Sequence, residues 1–316
     1  MNNFYEASPV KRNRRTKAEL ELLDQAIVDT VRKHQPCSVR QAFYQMTDPR
    51  LPAFVEKSDK GYRRIQERCL RLRRSGLIKY RWISDMSRRA YRTNVFENAS
   101  DFVERMASLF RADLWRDAEV VCEIWCESRS IASSIIGLCN RYAVNLYPCG
   151  GFSSVSFIYS AAEELNANNS GKPLVILFIG DYDPAGVLID VALKRELRTH
   201  LDPSIELHFR RIGINQEQVE RYSLPTKPRK PGDKRSLHIP YTVEAEALPA
   251  SVLRSLLEAE IVKLLPSRAL EIARIAEESE RSHLKFMANL LRTDEEEDED
   301  EDVENDQDDD DEENTK

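Results

Sequence analysis

IGDYDPAG, residues 179–186, ends the apolar run LVILFIG with two carboxylates, Asp181 and Asp183, placed just before Gly186. A continuous apolar run of this length reads as a strand buried on both faces, as strands of a parallel sheet are. Carboxylates two residues apart at a strand end share one face. A hard cation such as Mg²⁺ takes oxygen ligands, keeps several waters, and needs only one or two carboxylates beside substrate phosphate oxygens. The competing reading is an acidic loop after a buried strand, since D-x-D is short and common in loops.

Working outward, strand and helix patterns alternate. EVVCEIWC (119–126) reads as a strand, SRSIASSIIGLCNRY (128–142) as a helix, VNLYPCGG (144–151) as a strand and turn, and SSVSFIYSAAEELNAN (153–168) as a helix. After the central run, AGVLIDVALKRELRTHL (185–201) reads as a helix and IELHFRRIGI (205–214) as a further strand. This order predicts a parallel sheet covered by helices, with ligands gathered beyond the carboxyl ends of its strands. Glu127 follows EVVCEIWC directly, so it is expected to meet Asp181 and Asp183 at that edge as a three-carboxylate Mg²⁺ site. Glu123, four residues earlier, is a weaker candidate and reads as structural or exposed.

The N-terminal part is helical by its caps. Thr16 with Glu19 and Ser38 with Gln41 form capping boxes, Ser58 opens a third helix through Arg74, and Gly76 stands where a C-terminal glycine belongs. LIKYRWIS (77–84) then reads as a strand or wing, which makes a winged helix-turn-helix module the coarse reading of residues 15–95. On the third helix Tyr62, Ile65, Cys69 and Leu72 mark a packing face, while Arg63, Arg64, Arg68, Arg71 and Arg74 fill the others. With Lys79, Arg81, Arg88, Arg89 and Arg92 following, this suits a helix lying in or across a DNA groove; a solvated structural face is the alternative.

The predicted class is therefore α/β (α+β overall). Its order is a basic arm (1–14), the helical module, a connecting helix (96–117), the sheet domain (118–248), C-terminal helices (249–293) interrupted near Pro266, and a disordered acidic tail (294–316). The net charge of −7 hides an asymmetry. Removing the tail's 17 acidic residues and one lysine leaves 46 basic against 37 acidic residues, so the body is basic. A basic body with an acidic tail fits a nucleic-acid-binding protein whose tail competes with phosphate, or a tail that aids solubility.

No apolar run reaches the roughly 18 residues of a membrane span and no signal region is evident, so a cytoplasmic, nucleoid-associated location is expected. The six cysteines make no C-x-x-C pair and the histidines do not cluster near them, which argues against zinc; Cys122 and Cys126 read as small buried hydrophobes. No P-loop sequence is present, so nothing points to ATP hydrolysis or a nucleotide cofactor.

A glutamate after one strand and D-x-D after a later one resembles the Toprim domain of topoisomerases, primases and some nucleases. VRQAFYQM (39–46, of the form R-x-x-[YF]-Y), EIWCES (123–128), GDYDPAG (180–186), LPTKP (224–228) and VEAEALP (243–249) occur in that order. Together they resemble the A subunit of topoisomerase VI and the related meiotic double-strand-break transesterase over about residues 38–260. A compact chain of this form also looks like the stand-alone A-subunit homologues of bacteria and mobile elements.

The resemblance implies Tyr44 as nucleophile, Arg40 as its supporting arginine, and Glu127, Asp181 and Asp183 as Mg²⁺ ligands. It further implies double-stranded DNA as substrate with a 5′-phosphotyrosine link, a homodimer in which one subunit's tyrosine works with the other's metal site, and a separate ATPase subunit. Residues 40 and 44 lie one helical turn apart, so a guanidinium there can hold a phosphate beside the phenol. Without the resemblance, Tyr44 reads as a core or interface aromatic. The chain departs from the family in lacking an ATPase module, in a loosely matched turn at Gly150-Gly151-Phe152-Ser153, and in Ser128-Arg129, where a lysine and an acidic residue are usual. A hydrolytic Toprim nuclease using metal-bound water and a non-catalytic DNA-binding regulator are the alternatives.

Overall fold

The computed structural model describes residues 16–84, 93–150, 155–168, 171–229 and 239–309, with 293–309 as backbone only. The basic arm, Arg88, Arg89, Arg92, the turn residues 151–153 and the basic residues of 230–238 lie outside the described residues.

Each N-terminal cap forms. Thr16 and Ser38 accept from the backbone N–H of Glu19 and Gln41, whose side chains return the bond, and these boxes start α1 (Lys17–His34) and α2 (Val39–Gln45). Ser58 caps α3 (Asp59–Arg74), after which Gly76 takes a left-handed φ of 79°. Over 77–84 the described residues form no strand: Tyr80–Trp82 is a 3₁₀ turn. A strand needs a partner ladder. Among the described residues the backbone here pairs at a single parallel bridge, Cys37 with Ile83, while Trp82 and Ile83 turn into the core. The connecting helix is shorter than expected, α4 (Ala99–Ala107).

The predicted alternation gives β1 (Val121–Cys126), α5 (Arg129–Arg141), β2 (Asn145–Pro148), α6 (Val155–Asn168), β3 (Leu174–Ile179), α7 (Gly186–His200) and β4 (Leu207–Gly213). The four strands form one parallel sheet in the order β2-β1-β3-β4. Every residue of β3 is buried, as its unbroken apolar run requires. Val175, Leu177 and Ile179 face the side occupied by α5 and the N-terminal helices; Leu174, Ile176 and Phe178 face α6 and α7. The first of these cores is continuous from Leu23 of α1 through Tyr44 of α2 to Cys122 and Cys126 of β1. The chain runs from β1 to β2 on one side, then crosses to β3 and β4 on the other. The order therefore reverses between β1 and β3, whose carboxyl ends make the crevice in which such sheets bind ligands.

The short α8 (Gln216–Arg221) follows, and β5 (Lys227–Pro228) pairs antiparallel with β6 (Tyr241–Thr242). The chain then enters α9 (Ala250–Leu264), breaks at Pro266 and continues as α10 (Ala269–Asp309). Residues 294–309, expected to be disordered, thus continue a helix already formed, which carries no new nucleation cost. No described helix is long and apolar enough to cross a membrane.

Arg254 of α9 fastens the N-terminal helices to the sheet. Its guanidinium donates to the carbonyls of Gln35 and Pro36 (both 2.8 Å), and of His34 and Ser134 (both 3.1 Å). These include the open carbonyl end of α1, which leads directly into α2. Arg254→Leu strands all of them, and a loss of about 3 kcal/mol is expected in urea unfolding.

Candidate active site

The β1/β3 crevice carries the predicted carboxylates, each engaged by a backbone donor through one oxygen. Glu127 leaves β1 and its Oε2 accepts the Asp181 N–H at 3.0 Å. Asp181 and Asp183 lie beyond the last residue of β3, in the turn toward α7, so strand alternation no longer sets their directions. Asp181 Oδ1 accepts from Ala245 N at 2.8 Å. Asp183 Oδ1 accepts from Ala185 N at 2.9 Å and from Gly186 N, capping the start of α7. Gly186 permits this packing, because a Cβ there would stand 2.3 Å from the Asp181 carbonyl oxygen.

Among the described residues no three His, Cys, Asp or Glu side chains group as a metal centre. Backbone donors claim one oxygen of each of Glu127, Asp181 and Asp183 and leave the other open. Two carboxylates still suit a hard, well-hydrated cation. Burial, then the charges of Glu127 and Glu246, pushes Asp181 up to about 8. Burial also raises Glu127, with the Asp183 charge adding and the Asp181 N–H and Arg211 opposing. Arg211 offers little relief, since its guanidinium is held by the carbonyls of Gly180, Asp181 and Ile214 and by Asp190. A cation beside Glu127 and Asp181 would relieve their repulsion. Glu123, expected to be structural or exposed, is fully buried and accepts from Trp125 Nε1 at 3.1 Å, away from this edge.

Tyr44 is buried, as a core aromatic would be, and meets Phe43 edge-on at 5.3 Å. Its hydroxyl, however, interacts with the Glu244 carboxylate, and both side chains line one cleft. Arg40, one turn earlier, donates to the same carboxylate through Nε at 3.1 Å and through Nη2. Lys227 stands 3.3 Å from its other oxygen, and Lys57 Nζ lies 5.1 Å from the Tyr44 ring centroid. These side chains line a cleft of about 350 Å³ together with Phe43 and Tyr62. Burial drives the Tyr44 hydroxyl well above its ordinary range, and the Glu244 bond and charge add to this. Burial opposes ionisation of Glu244, but the bonds from Tyr44 and Arg40 and the charges of Arg40 and Lys227 win and hold it at about 2.

One short strap joins the two halves. Val243 exchanges backbone hydrogen bonds with Tyr182 (both 2.9 Å), Glu244 holds Arg40 and Tyr44, Ala245 N binds Asp181, and Glu246 accepts from Ser128 Oγ at 2.7 Å. Lys57 Nζ donates to the Pro225 carbonyl at 2.8 Å, bringing LPTKP alongside. Segments up to two hundred residues apart therefore meet at one place.

The arginines of α3 divide. Arg63, Arg71 and Arg74 are exposed and Arg64 half-buried, whereas Arg68 is turned back onto α1 and paired with Asp24 (Nε to Oδ1 2.6 Å). Arg68 is therefore corrected from a DNA-facing to a packing role. Arg73, unassigned in the sequence reading, lines a second cleft of about 340 Å³ with Arg40, Arg129 and serines at the start of α5. Sequence reasoning gave no role to Lys57, Glu244 and Glu246, and took Lys227 only as one of the basic residues of a 221–242 loop that could contact a phosphate backbone; the signal for Glu244 and Glu246 was their place in VEAEALP. No family model, curated protein or solved structure matches this chain.

Proposed function

We propose that the chain is a Mg²⁺-dependent DNA-cleaving transesterase in which Tyr44 is the nucleophile and Arg40 the phosphate clamp. The observation that carries the reading is the meeting at the strap of VRQAFYQM, EIWCES, GDYDPAG, LPTKP and VEAEALP. A core aromatic needs only apolar neighbours; Tyr44 instead has its hydroxyl in a cleft with Arg40, Lys57 and Lys227, which suits an anionic diester. Glu127 and Asp181, with the remaining oxygen of Asp183, would hold Mg²⁺, which when bound supplies neutralisation of phosphate charge. Arg40 orients the diester beside the phenol, and the apolar wall of Phe43 and Tyr62 limits water around it. Double-stranded DNA, a homodimer and a separate ATPase subunit are the partners this reading carries with it.

The testing experiment incubates the protein with supercoiled plasmid and Mg²⁺, traps with detergent, and looks for protein bound covalently to 5′ ends. Covalent breaks support the proposal. Breaks without adduct point to hydrolysis, and binding without breaks to a regulator.

DNA contacts are expected along the cleft between α3 and the start of α5. Arg73→Gln and Arg129→Gln should each weaken duplex binding and lower the salt dependence by about one counterion. Arg68→Ala should leave affinity unchanged and cost about 2 kcal/mol of stability through the lost Asp24 bonds. Fluorescence anisotropy across salt concentrations and urea unfolding separate these effects.

A further inference from the structure

We propose that Glu244 is the catalytic base that takes the phenolic proton of Tyr44, and that a bound phosphate activates it by drawing Arg40 and Lys227 away. This rests on the transesterase reading and adds a residue and a coupling to it.

The geometry supplies both parts. Glu244 is the carboxylate that interacts with the Tyr44 hydroxyl, and the two line one cleft with Arg40, Lys57 and Lys227. His34 lines the other cleft beside Tyr44, but its Nδ1 is engaged with Ser251 Oγ at 3.0 Å. Glu246 is committed to Ser128 and lies 3.9 Å from Arg40. In the chain alone Glu244 is a poor base, because its contact with Tyr44, the bond from Arg40 and the charges of Arg40 and Lys227 together outweigh burial and hold it at about 2. The same cations are the groups a phosphodiester would recruit. Once they turn to phosphate, Glu244 keeps the phenol and loses the bond and charges that favoured its ionised form, while the bound phosphate adds a negative charge nearby. Lys57, beside the Tyr44 ring, stays to favour the developing phenolate. Substrate binding and base strength are thereby linked through one pair of side chains.

In the step, Tyr44 Oη forms a bond to phosphorus and the bond from phosphorus to the 3′ oxygen breaks. The phenolic proton passes to Glu244, and the leaving 3′ oxygen takes a proton from solvent. Reversal restores the diester without an external energy source.

The test uses the full chain with a labelled duplex and Mg²⁺, measuring adduct formation from pH 6 to 10 and duplex affinity by anisotropy. Glu244→Gln should lower the adduct rate at pH 7 by about 10²–10⁴-fold, the range for a general base. Duplex affinity should be unchanged or tighter, because a negative charge near phosphate is gone. At saturating Mg²⁺ the residual rate should climb about tenfold per pH unit as hydroxide replaces the base, a steeper rise than that of the wild type. Glu244→Asp, which keeps a carboxylate, should recover at least about tenfold over Gln. A Gln variant within threefold of wild type overturns the assignment, as does a loss with no altered pH profile, which marks a structural role. Adduct lost in Tyr44→Phe but kept in Glu244→Gln removes Glu244 alone. No adduct from wild type removes the transesterase reading and this role with it.

Discussion

Tyr44→Phe is expected to lower covalent trapping on DNA by about a thousandfold or more, because removing a nucleophile removes the bond it forms. The fold should survive the change. The ring keeps its contacts with Phe43 and Lys57, and Glu244 keeps Arg40 and Lys227, so the lost hydroxyl bond costs about 1 kcal/mol. Duplex affinity should stay within a few-fold of wild type, since the clamping cations remain. Gel detection of protein-linked DNA beside a thermal melt separates lost chemistry from lost structure. A persisting adduct in the Phe variant would assign the nucleophile elsewhere.

Asp181→Asn is expected to lower Mg²⁺-dependent cleavage by about two orders of magnitude or more, while raising stability in the absence of the metal. The amide can still accept from Ala245 N, so the strap stays attached, but the repulsion with Glu127 and Glu246 disappears. The pH dependence follows from the sign of the shift. The folded Asp181 carboxyl sits near 8 and the unfolded one near 4, so between these values the folded state holds a proton that the unfolded chain has lost. Stability without metal therefore falls as pH rises from about 4 to about 8, and the Asn variant should flatten this fall. Glu244 works in the opposite sense: held at about 2, it contributes stability above its ordinary range that is lost as pH drops through 2. At pH 8 the Asn variant should melt a few degrees above wild type in chelator, of order 1 kcal/mol. Mg²⁺, which favours the ionised carboxyl, should raise the wild-type melting temperature more at pH 8 than at pH 6 and leave the variant nearly unmoved. A wild-type melt insensitive to Mg²⁺ at both values would remove the metal assignment.

Much of the fold could be read from local chemistry. The capping boxes at Thr16 and Ser38, Gly76 after α3, the unbroken apolar run of β3 and the break at Pro266 each act within a few residues. The failures were equally local in kind. LIKYRWIS has the residues of a strand but lacks a partner ladder, and Asp181 and Asp183 have strand spacing but stand past the strand's end. Arg68 looked like its neighbouring arginines because no helical periodicity shows that Asp24 of another helix awaits it.

The sequence alone determined the order of strands and helices and the placement of Glu127 and Asp181 at carboxyl ends of parallel strands, because hydrophobic periodicity and caps are short-range properties. Only the tertiary structure decided which backbone donor takes one oxygen of each carboxylate, and that Glu244 stands with Tyr44, Arg40 and Lys227 in one cleft. The reason is physical: a buried polar group takes whichever donor the packed chain presents to it, and for Glu244 the partners on α2 lie two hundred residues away.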